Sequence, residues 1–450
     1  METGVAVKIP GRASGHPQTL SYRAYVLAVL VLVYTFNFID RQIVGILAVP
    51  IKAELRLSDT QLGLMGGLAF ALFYTFLGIP IARLADRVSR VGIMTAALGL
   101  WSVMTAVCGM THSFVQLFAA RLGVGVGEAG GVAPAYSLIC DYFPSRQRAR
   151  ALAVYSFGIP LGSAAGIVLG AFITRWMSWR MAFVFVGLAG LCMAPLLKAT
   201  VREPVRGFEE PQAQGPYPVA QPATQAQPAT QAQPATQPSF LEVLRTLAGK
   251  PSFWALALGG AASSMMGYGL FFWMPSFLFR SFGLTLVQAS LAYGGLVLVG
   301  GLAGIWLGGF LADTLGARRK AAYALIPALA FLATIPFYAV GVLSTQLGVC
   351  MAVLLVPTAL GLAWLGPVLG AVQHLVPATM RATASAIFLF INNLLGIGLG
   401  TTLIGALSDA LHVRAGADSL RYAIVAGTGF YLLAAVFLAL ASRRLEKDWE

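Results

Sequence analysis

Residues 32–49 read LVYTFNFIDRQIVGILAV, a hydrophobic stretch that is long enough to cross a membrane and yet carries Asp40 and Arg41 side by side. A charged side chain at the centre of a bilayer costs at least about 2.5–3.5 kcal/mol, so such charges usually face the interior of a helix bundle or a wet cavity. There they mark the path of an ion or a substrate. This stretch therefore indicates a membrane-spanning helix of a transporter.

A second hydrophobic stretch carries the same combination of charges. Residues 118–138, FAARLGVGVGEAGGVAPAYSL, contain Arg121 and Glu128. Residues seven apart on a helix share one face but lie about two turns apart, so these two side chains cannot pair with each other directly. Each must find a partner on a neighbouring helix, in water or in a substrate. The nearby glycines predict open space around Glu128; they are Gly125, Gly127, Gly130 and Gly131.

The composition places most of the 450-residue chain in lipid. Hydrophobic residues make up 58% and charged residues only 10%, with a mean hydropathy of +0.78, whereas a soluble domain carries about 25% charged residues. Uncharged stretches of about 18 residues or more are candidate spans. The sequence predicts an all-α integral membrane protein with twelve transmembrane helices in two six-helix bundles. The predicted spans are about 24–50, 60–83, 89–110, 114–140, 149–173, 180–198, 252–279, 286–311, 321–341, 346–373, 382–408 and 420–441.

The net charge of +13 has a membrane explanation. With the N-terminus inside, the loops and tails on that side carry roughly three times as many Lys and Arg residues as the loops on the other side. This bias is the positive-inside rule, and it predicts a multi-pass protein of the inner cell membrane with both termini in the cytoplasm. No nucleic-acid partner is implied.

A low-complexity segment divides the chain. The stretch QPATQAQPATQAQPATQP, residues 221–238, repeats a six-residue unit without charge or aromatic residues, which is typical of a mobile tether. The following residues 239–250, SFLEVLRTLAGK, indicate a short amphipathic helix at the cytoplasmic face of the membrane. We therefore predict an N-terminal bundle over 1–203, a linker over 204–250 and a C-terminal bundle over 251–450.

The two halves repeat each other. ARLADRVSR at 82–90 corresponds to GFLADTLGARR at 309–319, and FPSRQRARALA at 143–153 corresponds to VPATMRATASA at 376–386. Internal duplication about a central linker is how many secondary transporters are built, with the substrate site between the halves near mid-membrane.

On these residues the chain resembles the major facilitator superfamily over essentially its full length. The family signature of the loop after span two is Gly-x-x-x-Asp-Arg-x-Gly-Arg. Ala82 and Ser89 replace its glycines here, which puts the geometry of the turn in doubt, while Asp86, Arg87 and Arg90 remain. The second copy of the signature keeps Gly309, Asp313 and Gly316 but has Thr314 where a basic residue is usual.

Within the superfamily the chain is most similar to Spinster proteins, and it resembles a bacterial homolog of that family. The segments that carry the similarity are FNFIDRQIVGIL at 36–47, RLGVGVGEAGGVAPAYSLICDYF at 121–143 and YSFGIPLGSAAG at 155–166. The resemblance implies a carrier of lysophospholipids or sphingoid phosphates, although substrate transfers between relatives less safely than fold.

Asp40 and Glu128 are the candidate proton-coupling residues. Low dielectric favours the protonated form of a carboxylate and a nearby arginine favours the ionised form, so proton occupancy can switch as a site opens. The alternative is a static pairing with Arg41 and Arg121 that fixes the positions of helices.

Arg41 and Arg121 suit an anionic headgroup, because a guanidinium forks onto phosphate or carboxylate. For Arg121 a structural clamp between helices stays an open alternative. The C-terminal half has no deep charge but offers aromatic side chains and an Asn pair, although most such aromatics serve as core in any membrane protein. A charged half facing an apolar half suits an amphipathic substrate. The candidate substrate-binding residues are Arg41, Arg121, Asn37, Tyr268, Trp273, Asn392 and Asn393.

The charged loops after spans two and eight are candidate gates. The resemblance implies a latch that holds the halves together on the cytoplasmic side; a charged turn that only fixes orientation is the alternative. The gating candidates are Asp86, Arg87, Arg90 and Asp313.

We predict a proton-coupled secondary transporter that works by alternating access and moves an amphipathic anion or zwitterion. The alternative within this class is a carrier of small organic acids or drugs; an intramembrane lipid enzyme or a channel is the remote alternative. No metal-ligand spacing, nucleophile elbow or phosphate loop occurs, so no catalytic residue, metal or cofactor is assigned and the proton is the coupling ion. The expected partners are the substrate and the bilayer, with the chain acting as a monomer.

Overall fold

Eighteen α-helices and a short 3-10 turn make up most of the computed structural model, which describes residues 19–85, 87–204, 239–316, 319–377 and 380–449. No strand occurs within these ranges. The helices are α1 (Leu20–Leu55), α2 (Asp59–Gly66), α3 (Leu68–Ala85), α4 (Arg90–Cys108), α5 (Phe114–Glu128), α6 (Val132–Tyr142), α7 (Ser145–Ser156), α8 (Gly158–Trp176), α9 (Trp179–Thr200), α10 (Phe240–Ala248), α11 (Pro251–Phe282), α12 (Leu286–Gly316), α13 (Ala322–Leu343), α14 (Leu347–Leu360), α15 (Leu365–Gln373), α16 (Arg381–Ala415), α17 (Ser419–Gly427) and α18 (Gly429–Asp448).

Ten helical stretches in the described part of the chain are long and apolar enough to cross a membrane. One of them, Thr383–Asp448, is 66 residues long and holds two crossings, α16 and α17–α18. The pair α5–α6 adds another crossing, which the break after Glu128 divides into two short helices. The ten stretches therefore contain eleven crossings, and α5–α6 brings the number to twelve. The predicted all-α, twelve-span fold class is confirmed.

The helix ends define two faces of the bundle. At the terminal face, where α1 begins and α9 ends, the Tyr22 hydroxyl donates to the Thr200 carbonyl at 3.0 Å. On the same face Lys250 Nζ donates to the Asp448 carbonyl at 3.1 Å. The opposite face holds the turns in which α1 leads into α2 and α11 leads into α12.

Glycine contacts bring helices together at backbone distance within the N-terminal half. A Cβ on Gly125 would lie 2.4 Å from the Phe70 carbonyl oxygen of α3, and a Cβ on Gly127 would lie 2.5 Å from the Trp101 amide of α4. The prediction that these glycines leave open space is therefore wrong for these two positions. They are small because neighbouring helices fill the space, as is typical of helix packing in membranes.

 Helix α10 follows residues 205–238, which hold the predicted tether and lie outside the described residues. Ser239 caps its N-terminus by accepting a hydrogen bond from the Glu242 amide at 3.2 Å. Val243 and Leu247 are buried against α11 and α16, whereas Leu241 on the other side is 66% exposed. This two-sided pattern is the one expected of a helix at a membrane surface.

A close glycine contact of the C-terminal half gives a stability prediction. A Cβ on Gly400 of α16 would lie 2.2 Å from the Met265 carbonyl oxygen of α11, and backbone atoms cannot move aside cheaply. Gly400→Ala should therefore destabilise the protein by about 1–3 kcal/mol, the usual effect of overpacking. A Cβ on Gly295 meets no heavy atom within 4 Å, so Gly295→Ala is the matched control.

Thermal unfolding in detergent measures both variants. We expect a lower melting temperature for Gly400→Ala and an unchanged or slightly higher one for Gly295→Ala, since Ala favours helix by about 0.5–1 kcal/mol. Equal melting temperatures for Gly400→Ala and wild type would contradict the close approach of α11 and α16.

Candidate functional site

Two ion pairs join α1 to α5 deep in the N-terminal half. Arg41 Nε donates to Glu128 Oε2 at 2.7 Å, and Arg121 Nη1 lies 3.5 Å from Asp40 Oδ1. Each helix supplies one acid and one base, so every pair crosses from one helix to the other. This arrangement agrees with the helical spacing, which prevents Arg121 and Glu128 from pairing with each other.

The four charged groups are almost completely buried yet incompletely hydrogen-bonded. Asp40, Arg121 and Glu128 are at most 1% exposed. Neither carboxylate oxygen of Asp40 has a hydrogen-bond partner within the described residues, and the same holds for Glu128 Oε1 and Arg41 Nη2. Both amide atoms of Asn37, one turn before Arg41, are also buried without a partner there. A buried polar network with free donors and acceptors has the capacity to take a proton, water or a ligand.

Aromatic rings surround the Arg41 guanidinium. Its central carbon lies 5.0 Å from the ring centre of Phe38, 4.8 Å from that of Phe70 and 4.7 Å from that of Tyr74. Arg121 shares the Phe70 ring at 5.8 Å. Cation–π attraction stabilises a guanidinium where water is scarce, so the rings hold the positive charge in place.

The site extends toward the C-terminal half. A cavity of about 30 Å³ is lined by Arg41 and Arg121 on one side and by Tyr268, Phe271 and Phe272 of α11 on the other. The structure thus places Tyr268, a predicted substrate-binding residue, beside the charges. This cavity is the point at which the charged half meets the aromatic wall of the other half.

The remaining predicted substrate residues of the C-terminal half lie apart from the ion pairs. Trp273 is fully buried and its indole Nε1 donates to the Thr401 carbonyl at 2.8 Å, which ties α11 to α16. Asn392 Oδ1 accepts a hydrogen bond from Ser264 at 2.9 Å, inside the same half. Asn393 lines a second cavity, of about 350 Å³, that lies between α3, α6 and α16 toward the terminal face.

The predicted gating residues are only partly within the described chain. Asp86 and the side chain of Asp313 lie outside the described residues, and Arg87 is exposed. Arg90 is 2% exposed and pairs with Asp141 at the end of α6 and with Glu203 after α9, the latter at 2.7 Å. Both partners belong to the N-terminal half, so in this conformation Arg90 joins helices within that half. Its role as a latch between the halves stays a prediction.

Asp59, which the sequence analysis did not single out, joins the halves at the opposite face. Its carboxylate accepts two hydrogen bonds from the Arg280 guanidinium of α11, both at 2.8 Å, and one from Ser408 of α16 at 2.8 Å. Lys52 of α1 donates to it at 2.6 Å. Bidentate arginine–carboxylate pairs are among the stronger hydrogen-bonded contacts in proteins. Asp59 is therefore the centre of a latch between the halves.

Asp409 of α16 completes this closure by capping α2. Its carboxylate accepts from the Asp59 amide at 3.0 Å, from the Thr60 amide at 2.8 Å and from the Thr60 hydroxyl at 2.6 Å. An anion at a helix N-terminus satisfies free amides and complements the helix dipole. The halves thus meet closely around Asp59 and Asp409. A cavity of about 570 Å³ lies elsewhere on that face between α1, α8, α11 and α12, and the cavity of about 350 Å³ lies toward the terminal face.

The chain has twelve crossings, charged groups buried against the interface of two halves, and contacts that close this interface around Asp59. These features are typical of a membrane carrier that works by alternating access. The Major Facilitator Superfamily matches residues 30–401 of the chain. The chain belongs to this superfamily and is of its Spinster type, which makes it a transporter and not an enzyme.

The chain is similar to named proteins over most of its length. A Mycolicibacterium smegmatis protein named MFS-type efflux pump is 33% identical over 423 residues, which cover 94% of this chain and 93% of that protein. Protein spinster homolog 1 of Xenopus tropicalis is 28% identical over 459 residues, covering 95% of this chain and 84% of that protein.

The structural comparison gives the same result. A crystal structure of a bacterial homolog to the human lysosomal transporter Spinster, in an inward-facing and unoccupied conformation, matches with a TM-score of 0.83. Its sequence is 33% identical, and the match covers 96% of this chain and 99% of that one.

The Asp59 latch predicts a shift in conformation. Asp59→Asn removes the charge that holds Arg280 and Lys52, so the opposite face should open more often. Losing a charge-assisted contact costs about 1.5–3 kcal/mol, which moves a balanced two-state population about tenfold or more. A cysteine at Thr401, which is 2% exposed within the seal, should then react faster with a membrane-impermeant maleimide added at that face.

The labelling needs a background without the native cysteines, which are Cys108, Cys140, Cys192 and Cys350. Glu54→Gln is the matched control, because Glu54 lies at the same face but bonds to Trp179 and Arg180 of its own half. Unchanged labelling in Asp59→Asn, or equal acceleration by both substitutions, would argue against a latch.

The Arg90 cluster predicts a pH-dependent contribution to stability. Partial burial raises the pKa of the Glu203 carboxyl, but hydrogen bonds from the Val91 amide, Arg90 and Ser89 outweigh it and hold that pKa below its ordinary value. A lowered folded-state pKa stabilises the fold above the unfolded pKa of about 4.3, and this contribution is lost as the pH falls through the folded pKa.

Glu203→Gln should therefore lower the free energy of unfolding at neutral pH by about 1–3 kcal/mol. The difference from wild type should shrink as the medium is acidified below the ordinary carboxyl pKa. Melting temperatures of both proteins over a pH series test this, and a difference that grows on acidification would contradict it.

Proposed function

We propose that the chain is a proton-coupled secondary transporter that moves an amphipathic anion of the lysophospholipid or sphingoid-phosphate type by alternating access. The observation that carries this proposal is the buried set of two acids and two bases on α1 and α5. Its carboxylate oxygens are partly unbonded, and it borders the cavity between the halves. The proposed substrate class rests on the resemblance of residues 36–47, 121–143 and 155–166 to Spinster proteins.

Charge balance supplies the physical basis for coupling. Asp40, Arg41, Arg121 and Glu128 sum to zero net charge when all are ionised, and an unbalanced charge at this depth is strongly unfavourable. An incoming anionic headgroup that binds Arg41 must compete with Glu128 for the same guanidinium. Protonation of Glu128 releases Arg41 and cancels the added negative charge. Substrate and proton therefore favour each other's binding, which is the requirement for coupled transport.

The surroundings of the charges suit a molecule with an apolar part. Tyr268, Phe271 and Phe272 form the wall opposite Arg41, and none of them carries a charge. The cavity of about 350 Å³ is lined mainly by apolar side chains and lies toward the terminal face. A phosphate can thus meet arginine while a hydrocarbon chain lies against the aromatic wall and the cavity.

The proposal also includes the orientation of the chain in the membrane and the identity of the coupling ion. The bias of Lys and Arg toward the terminal side favours cytoplasmic termini in the inner cell membrane. The cavity of about 350 Å³ would then face the cytoplasm. No cofactor is required, since the proton gradient supplies the energy, and a single chain holds all four charged groups of the site.

A second candidate is a proton-coupled exporter of drugs or small organic acids. The relative from Mycolicibacterium smegmatis, 33% identical, bears the name MFS-type efflux pump. Purified protein in proteoliposomes separates the two candidates when a panel of lysophospholipids, organic acids and cationic drugs is tested with and without an imposed pH gradient. Gradient-dependent movement of lysophospholipids alone supports the first candidate, whereas movement of drugs or acids alone replaces it with the second.

The coupling role of Glu128 gives a direct prediction. Glu128→Gln mimics the protonated carboxyl, so substrate should still bind and exchange across the membrane. Accumulation against the substrate's own gradient should be lost, because no proton is taken up or released at this position. Paired assays of exchange and of gradient-driven uptake in proteoliposomes measure the two activities.

Glu446→Gln, which changes an exposed carboxylate on α18, serves as the control and should transport like wild type. Wild-type accumulation by Glu128→Gln would remove Glu128 from the coupling mechanism and leave its pairing with Arg41 as a structural contact.

A further inference from the structure

Asp40 and Arg121 border different spaces, although they form one ion pair. Arg121 lines the cavity of about 30 Å³ between the halves, which Tyr268 and Phe271 line from the other side. Asp40 lines a separate small pocket between α1, α4 and α9, and the two spaces share no lining residue. An anion that enters the cavity therefore meets Arg121 and not Asp40.

The pocket at Asp40 contains two hydroxyl groups. Ser102 and Thr105 of α4 lie three residues apart on one helix face, and both line this pocket together with Asp40. Both are at most 1% exposed, and neither hydroxyl has a hydrogen-bond partner among the described residues. The pocket leaves no space for a water molecule, so protein side chains must supply any donor to the Asp40 carboxylate there.

Close packing of α9 against α4 fixes the position of the Ser102 hydroxyl. A Cβ on Gly190 would lie 2.4 Å from Ser102 Oγ, and a Cβ on Gly187 would lie 2.6 Å from the Ser102 carbonyl oxygen. Glycine at these two positions therefore leaves room for the hydroxyl beside Asp40, and a larger residue on α9 would displace it.

The ion pair between Arg121 and Asp40 leaves hydrogen-bonding groups unused on both sides. Arg121 Nη1 lies 3.5 Å from Asp40 Oδ1, and neither Nε nor Nη1 of Arg121 has an acceptor among the described residues. Both carboxylate oxygens of Asp40 are likewise without a donor there. The guanidinium thus has donors for an anion in the cavity, but turning toward that anion would leave a buried carboxylate without compensation.

We propose that Ser102 and Thr105 are positioning residues that hold the Asp40 carboxylate when Arg121 turns toward an anionic headgroup. Two hydroxyl donors stabilise the ionised carboxylate, so Arg121 is released without a proton on Asp40. Glu128 is then the acid whose protonation accompanies substrate binding. The inference rests on the proposed function and adds the residues that set the affinity of Arg121 for the headgroup.

The charged and titratable groups around Asp40 come from its own helix and from two neighbouring helices. They are Arg41 on α1, Arg121 and Glu128 on α5, and Cys108 at the end of α4, whereas the residues of α9 that line the pocket are uncharged. Removing a hydroxyl changes none of these charges. A variant without the hydroxyl must take up a proton at Asp40 before Arg121 is released, so its substrate affinity becomes more dependent on pH.

Substitutions at Thr105 separate the hydroxyl from the shape of the side chain. Thr105→Val removes the hydroxyl and keeps the branched shape, and Thr105→Ser keeps the hydroxyl. Thr95→Val is the matched control, because Thr95 of α4 donates to the Val91 carbonyl of its own helix at 2.7 Å and does not line the pocket. Exchange of lysophosphatidylglycerol is measured in proteoliposomes with the same pH on both sides, since its phosphodiester keeps one negative charge throughout the pH series.

We expect Thr105→Val to raise the KM of exchange about tenfold at mildly alkaline pH, the effect of losing one hydrogen bond to a charged group, with kcat within about twofold of wild type. The ratio of its KM to that of wild type should fall toward one as the medium is acidified, because a protonated Asp40 no longer holds Arg121. Ser102→Ala should act in the same direction, whereas Thr105→Ser and Thr95→Val should behave like wild type at every pH.

A KM ratio that is raised equally at every pH would overturn the inference, because it would reflect altered packing around α4 instead of the release of Arg121. An unchanged KM in the double variant Ser102→Ala with Thr105→Val would overturn it as well. If Thr105→Val does not fold, Ser102→Ala provides the same comparison. Failure of the wild type to exchange this lysophospholipid is a different result: it contradicts the proposed function, and the inference with it.

Discussion

The pairing of Arg41 with Glu128, together with that of Arg121 with Asp40, is the constraint on which the rest of the structure depends. Removing one partner of a buried ion pair costs about 3–5 kcal/mol, because the remaining charge is left without compensation. Helix α1 therefore cannot move away from α5 unless a proton or a ligand replaces the lost charge. The N-terminal half is held together by this requirement, so conformational change must occur mainly where the two halves meet.

The closure at the opposite face shows how the halves are held in one state. Asp59 is 2% exposed and bonds to side chains of α1, α11 and α16, while Asp409 bonds to the amides that begin α2. A carrier functions only if its two conformations differ by a few kcal/mol, so that ligands can shift the populations. A latch of this strength therefore requires opposing contacts of similar strength in the other state.

The sequence predicts the twelve crossings and the four buried charges because a charge in a hydrophobic span stands out against its surroundings. The same reasoning does not identify Asp59 and Asp409, because both lie near helix ends at the membrane surface, where charged residues are common. Their importance arises from contacts across as many as 350 positions of the sequence, which only the folded chain brings together. A capping box, Ser58 with Gln61, marks the start of α2 in the sequence but does not identify its partner on the other half.

The same limit explains the glycines and Trp273. A glycine in a hydrophobic helix is compatible with an open cavity or with close packing, and Gly125 and Gly127 turn out to pack against backbone of α3 and α4. An aromatic residue likewise lines a site or fills a core, and the hydrogen bond from Trp273 to the Thr401 carbonyl assigns it to the contact of α11 with α16. The neighbouring helices decide between these alternatives, and the sequence of a single helix does not show which helices its neighbours will be.

Small residues lie where the two halves meet beside the ion pairs. A Cβ on Gly45, one turn after Arg41, would lie 3.0 Å from the Phe272 carbonyl oxygen, so α1 and α11 touch at backbone distance beside the ion pairs. A Cβ on Gly301 of α12 would lie 3.9 Å from Pro160 of α8. Contacts without interlocking side chains permit rotation more readily than ridges fitted into grooves. An axis through such contacts keeps the charged site in place while one face opens and the other closes, which is the geometry that the proposed alternating access requires.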